Sequence, residues 1–176
     1  EPRANVLMLI NCSLSPSPTA IGRYFIAQQK AQQAGIDTTF SIMQMTANPF
    51  MALNSVTNTL LANPAYTHLM LTSDDIICED DMIIRLIDDD KDIVSGVYRL
   101  RDANQYGVAI YGLPGENFDE WLKTGAVVER KYASAHTMTI KRAVIEKVVD
   151  AHPELNCYAE NGQVVHGVWI PYVKDG

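Results

Sequence analysis

The chain has 176 residues, 47% of them hydrophobic, which fits a single domain with a sizeable core. It carries 14 Lys+Arg against 21 Asp+Glu and a formal net charge of -7. With no basic stripe to neutralise phosphates, this balance excludes a nucleic-acid-binding protein while leaving room for a local pocket for one nucleotide.

Residues 6–10 form a continuous apolar run, as in a strand buried on both faces, and residues 11–18 follow as a Ser/Pro loop. Residues 19–34 predict a helix with Ala20, Ile21, Phe25 and Ala31 on its apolar face and Gly35 as its C-cap. A second strand is expected at 38–43, and a second helix at 49–61, entered through Asn48-Pro49. Then come a third strand at 67–71, a helix at 79–87 with acids at its start, and a fourth strand at 93–98. This alternation predicts a parallel sheet covered on both sides. The second half reads as short antiparallel strands at 107–111 and 126–132 joined by a long connection, a strand at 134–140, a helix at 141–151 and a last strand at 164–170. The expected class is α/β: a Rossmann-like, mixed but mainly parallel sheet flanked by helices. Residues 1–100 would be a nucleotide-binding half and 101–176 a smaller antiparallel half of the same domain.

Cys12, Cys78 and Cys157 are far apart and lack any zinc spacing, so free thiols in a reduced compartment are expected, with Cys12 and Cys78 acting as small core hydrophobes. No apolar run reaches membrane-spanning length.

The third strand ends in Ser73-Asp74-Asp75. Divalent Mg²⁺ and Mn²⁺ prefer carboxylate oxygens and take one or two from the protein, the rest from substrate phosphates. A strand that delivers two acids at its C-terminal end can therefore build a metal–nucleotide site. The same pair reads equally well as a turn that caps the following helix.

The residues around the pair carry a resemblance. The run 67–77 (THLMLTSDDII), the segment 90–98 (DKDIVSGVY) and the segment 134–148 (SAHTMTIKRAVIEKV) follow in the order and spacing of family 2-like glycosyltransferases of the GT-A fold. That family has a strand ending in a DxD motif, then a "dkDIVgGvY" strand, then a "GtGfmlikRevfekv" strand and helix. Leu53-Asn54-Ser55-Val56 resembles its "aRN" helix segment. The resemblance spans residues 6–176. It implies a metal-dependent enzyme, an EC 2.4-type hexosyltransferase that decorates a glycan or glycoprotein in a bacterial or viral setting. It implies Mn²⁺ or Mg²⁺ and a nucleotide-sugar donor, with a UDP-sugar favoured. Ser73 stands where the family has its first acid, His136 where relatives often have Gly, and the acidic "sED" segment that often supplies a base in relatives lies beyond Gly176. The piece is therefore expected to be truncated at its C-terminus.

The remaining site candidates divide by role. Asp75, with Asp74, would hold the metal, and His166 would be a late third ligand, although a lone His in an apolar strand is more often a core residue. Cys12 and Ser13 follow the first strand, where the resemblance implies contact with the uracil and ribose. Asn54 and Asn58, one helical turn apart, would position sugar or pyrophosphate or would simply face solvent. Arg99, more than Arg101, suits phosphate. His136 would contact the sugar, and Trp121 with Phe118, Asp119 and Glu120 would form an acceptor side. Asp119 and Glu129 are the candidate bases. The expected partners are a nucleotide-sugar donor and a glycan or glycoprotein acceptor, with no nucleic acid and no membrane-spanning segment. The expected location is cytoplasmic, in a bacterium or in the host cell of a virus. Two rival readings are a non-catalytic nucleotide-sugar-binding module and a sugar nucleotidyltransferase. The second would show a Gly-rich basic loop after the first strand, where this chain has Ser and Pro.

Overall fold

Strand β1 (Ala4–Cys12) is buried at all but Asn5 and Asn11, so both its faces must be covered. A computed structural model of the chain shows how; it describes residues 1–12, 16–44, 49–97, 123–129, 134–158, 162 and 164–169. β2 (Ile36–Gln44) and β3 (His68–Ser73) pair with β1 in parallel on either side, with Met8 opposite Phe40 and Met70. β5 (Thr137–Lys141) pairs antiparallel with β3, and β4 (Ile93–Ser95) pairs antiparallel with β5. The five-stranded order is β2-β1-β3-β5-β4.

The mixed α/β class is as expected, and the strand order adds a feature that chain order does not give. β4 does not lie beside β3. The reversed strand β5 is inserted between them, so Leu71 faces Met138 and Leu69 faces Ile140. Ile140 is apolar enough to fill an interior strand on one face while the threonines Thr137 and Thr139 are buried on the other.

Alternation along β1 sorts two apolar layers. Val6, Met8, Ile10 and Cys12 pack with Ala20, Tyr24, Ala27 and Ala31 of helix α1 (Pro18–Gln33) and with Ile83 and Leu86 of α3 (Met82–Asp88). Leu7 and Leu9 pack with Val56 and Leu60 of α2 (Pro49–Ala62) and Ile145 of α4 (Arg142–Ala151). α1 starts where Ser17 accepts the Ala20 N–H through its side chain at 3.3 Å, with Pro18 in the first turn. It ends at Ala34, and Gly35 takes φ 77°, the left-handed conformation that a glycine allows after a helix. The apolar face of α1 differs from expectation at Phe25. That side chain is 48% exposed against Phe40, and the buried stripe runs through Tyr24 instead.

The first residue of α4 ties the layers together. The Arg142 guanidinium donates to Leu60 O at 2.7 Å, Leu61 O at 2.9 Å and Asn63 O at 2.9 Å, carbonyls at and just past the end of α2. A second, two-stranded sheet joins β6 (Asn156–Tyr158) to β7 (Val164–His166) in antiparallel fashion. β6 was not expected, and β7 is shorter than the predicted last strand. Residues 126–129 form no strand; the expected strand at 107–111 and the rest of 126–132 lie outside the described residues.

Candidate functional site

The C-terminal ends of β1 and β3 and the start of β5 meet at one edge of the main sheet. Asn11 and Ser73 are register partners on β1 and β3, and the Asp74 N–H donates to Asn11 O at 3.1 Å. The chain then turns: the Ile76 N–H returns to Ser73 O at 3.2 Å. Ser73 and Asp74 are buried, at 7% and 3% exposure, whereas Asp75 at the tip is exposed. From β5, His136 arrives just before the strand begins, and its Nδ1 lies 3.1 Å from the Ser73 hydroxyl. Thus Ser73, Asp74, Asp75 and His136, all predicted site residues, are brought to one place by the pairing of β3 with β5.

The turn rests on Tyr24. This fully buried phenol on α1 lies 2.6 Å from Thr72 Oγ1, 2.8 Å from Ser73 O and 2.9 Å from Ile76 O. Burial pushes its pKa above the usual tyrosine value, the Thr72 bond opposes this, and the nearby Cys78, Asp75 and Asp74 add to the rise. The Cys12 thiol is likewise raised, first by burial and then by the charge of Asp74. Cys78 is pushed up to about 11, mainly by burial. The two buried cysteines therefore remain protonated thiols at neutral pH and behave as core groups. Cys12 is 5% exposed within the α1 layer, as expected of a small core hydrophobe.

The far end of the loop is pinned to the same helix. Arg23 Nε donates to Cys78 O at 3.2 Å, and Asp80 pairs with Arg23 at 2.9 Å and Lys30 at 3.0 Å. The Lys30 bond is the main cause holding the Asp80 carboxyl below its usual value.

The other predicted residues have different surroundings. Asn54 and Asn58 use their carboxamides within the fold. Asn54 donates to Trp169 O at 2.9 Å and accepts the Trp169 N–H at 2.8 Å; Asn58 does the same with His166, at 3.0 and 2.9 Å. Two side chains one helical turn apart thus clasp the end of β7 and the segment after it as a neighbouring strand would, because a carboxamide presents the same donor and acceptor as a peptide group. The Trp169 indole N–H adds a bond to Thr57 Oγ1 at 2.9 Å.

His166 also has a partner within the fold. Its Nδ1 lies 2.6 Å from Asn156 Oδ1 in the β6–β7 pair. Among the described residues, no three His, Cys, Asp or Glu side chains gather as a metal-holding group. Glu129 is exposed in a stretch without regular structure. Ser13, Arg99, Arg101, Phe118, Asp119, Glu120 and Trp121 lie outside the described residues.

Two residues escaped the sequence reading. Tyr24 could have been found from the helical spacing of Ala20, Tyr24, Ala27 and Ala31, a small-residue stripe with a single polar-tipped ring. Asn11, whose buried Oδ1 has no hydrogen-bond partner among the described residues, could have been flagged as the polar end of an apolar strand.

No helix among the described residues is long and apolar enough to cross a membrane. No family model matches the chain, and no curated protein matches it. Among solved structures it is similar to the crystal structure of A197 from STIV, with a TM-score of 0.53 over 92% of this chain and 93% of that one, at 14% sequence identity. At that identity the likeness is one of fold: an α/β domain whose mixed five-stranded sheet is flanked by helices.

Proposed function

We propose that this chain is a GT-A-type glycosyltransferase domain. It would move a sugar from a nucleotide-diphosphate donor, with UDP-hexose favoured, to a hydroxyl of a glycan or glycoprotein. The observation that carries the reading is the turn itself: one buried and one exposed carboxylate at the C-terminal end of a central strand, beside an imidazole from the neighbouring reversed strand. Strand C-termini are where open α/β sheets bind ligands.

The donor set fits a hard divalent cation such as Mn²⁺ or Mg²⁺, because carboxylate oxygens are its preferred ligands and a diphosphate completes the shell. Asp75, supported by Asp74, would hold it. When bound, such an ion stabilises negative charge on a departing diphosphate. Everything else belongs to the chain's own groups. Asp74 adds negative charge at the end of β1, which favours a cation there and would repel an anionic donor that arrives without one. His136, tied to Ser73, would contact the donor sugar. Arg99 is proposed to meet phosphate, and Asp119 or Glu129 to accept the acceptor's proton.

The test is calorimetric titration of UDP, GDP and UDP-sugars with and without Mn²⁺, on the wild type and Asp75→Ala. Metal-dependent binding of one nucleotide that Asp75→Ala abolishes is the expected result. No nucleotide binding under any metal condition would return the acidic pair to the role of a helix-capping turn.

A further inference from the structure

Tyr24 is the one large residue in the buried stripe of α1; the others, Ala20, Ala27 and Ala31, are small. A phenylalanine would fill the same space, so packing alone does not call for the hydroxyl. A fully buried hydroxyl needs partners, and this one finds all of them on the acidic turn. The two carbonyls, Ser73 O and Ile76 O, can only accept, so they share the single phenol proton at 2.8 and 2.9 Å. The Thr72 hydroxyl then donates to the phenol oxygen at 2.6 Å. These three partners bracket Asp74 and Asp75: two precede the pair and one follows it. The same turn is closed by the Ile76 N–H on Ser73 O and fixed to β1 by the Asp74 N–H on Asn11 O. The phenol hydroxyl thus acts on the backbone that carries the two acids.

We propose that Tyr24 is the positioning residue of this site, its hydroxyl holding the turn at residues 73–76 in the shape that lets Asp74 and Asp75 bind a divalent cation together with a nucleoside diphosphate. The inference rests on the metal–nucleotide reading of the acidic pair. Its chemistry is that of an outer-shell partner, whose removal leaves the ligands in place but loosens their geometry.

The experiment is titration of Mn²⁺ in the presence of UDP, with free Mn²⁺ read by electron paramagnetic resonance, on the wild type, Tyr24→Phe, Thr72→Val and Arg142→Lys. Tyr24→Phe keeps the ring and removes only the hydroxyl, and is expected to weaken Mn²⁺ binding about 10- to 100-fold. Thr72→Val keeps the side-chain shape, removes the hydroxyl that feeds the phenol, and weakens binding in the same direction. Arg142→Lys destabilises the fold at the opposite end of β3, where the Arg142 N–H meets Thr67 O, and leaves the affinity unchanged. Wild-type affinity in Tyr24→Phe, or an equal loss in Arg142→Lys, would overturn the positioning role while leaving the acidic pair as the metal site. Absence of Mn²⁺–UDP binding in the wild type would overturn both.

Discussion

Gly96 follows β4 at the point where the sheet approaches the candidate site, and its N–H donates to Thr137 O at 2.7 Å. A Cβ added there would lie 2.9 Å from Thr137 Cγ2 and 3.5 Å from Thr137 Cβ. Carbon atoms rest at about 3.5–4.0 Å, so the methyl contact alone is too close. It cannot relax cheaply: Thr is stiff at χ1, and the Thr137 hydroxyl is engaged with His136 O at 2.7 Å. The backbone at Gly96 does not need glycine's left-handed freedom, so the clash isolates a steric term. Overpacking of this kind costs about 1–3 kcal/mol. With a urea slope of about 2 kcal/mol/M, Gly96→Ala should lower the unfolding midpoint by roughly 0.5–1.5 M. Thr137→Ser removes Cγ2 and keeps the hydroxyl. In that background the nearest remaining contact is the ordinary 3.5 Å one, and Gly96→Ala should cost little. Urea unfolding of all four proteins, followed by circular dichroism, should give a coupling of about 1.5 kcal/mol between the two positions. A coupling within about 0.5 kcal/mol of zero, the scatter of independent sites, would refute the close approach of these two chains.

Arg142→Lys should destabilise the fold by about 2–3 kcal/mol. An ammonium cannot reach several carbonyls at once, and Leu61 O loses its guanidinium partner; Leu60 O and Asn63 O keep backbone donors from Asn63 and Tyr66. The exposed control Arg85→Lys should change stability by less than about 0.5 kcal/mol in the same urea series. His68 predicts a pH dependence: burial first, and then the charge of Lys141, lower its pKa from 6.5. The unfolded chain then binds the proton more readily, so stability is full above about 6.5 and falls as pH drops from there towards the lowered folded value. Thermal unfolding between about pH 7.5 and 5 should show a shallower decline in His68→Gln than in the wild type, and identical slopes would show that His68 titrates normally.

The elements that could be read from the sequence were those with a strong local signal. The apolar run of β1, the Ser-Pro start of α1 and its Gly35 end, and the amphipathic α4 each carry their own pattern or cap, and each lies close to its expected bounds. The position of β5 was not legible, because strand neighbours are chosen by pairing between distant segments, and nothing in 134–140 announces that it will slip between β3 and β4. At the site, the acidic turn and His136 were readable as residue types, and their meeting at Ser73 follows from the β3–β5 pairing. Asn54 and Asn58 illustrate the converse. Their spacing correctly marked a shared helix face, but an asparagine's carboxamide serves a ligand and a backbone equally well, and only the tertiary contact decides between them.

The clasp formed by those two asparagines has a consequence for biosynthesis. Its partners are separated by 108 and 115 positions along the chain, so α2 leaves the ribosome long before the segment it will hold. At the elongation rates typical of cells, about 5–20 residues per second, the interval is on the order of 5–20 seconds. During that time the uncovered flank of α2 presents carboxamides and the Thr57 hydroxyl, groups that water can satisfy, beside the apolar cluster that Trp169 later packs against. The late segment then displaces water from a site built to exchange one set of hydrogen bonds for another, and closure of the domain becomes a record that translation has proceeded past residue 169.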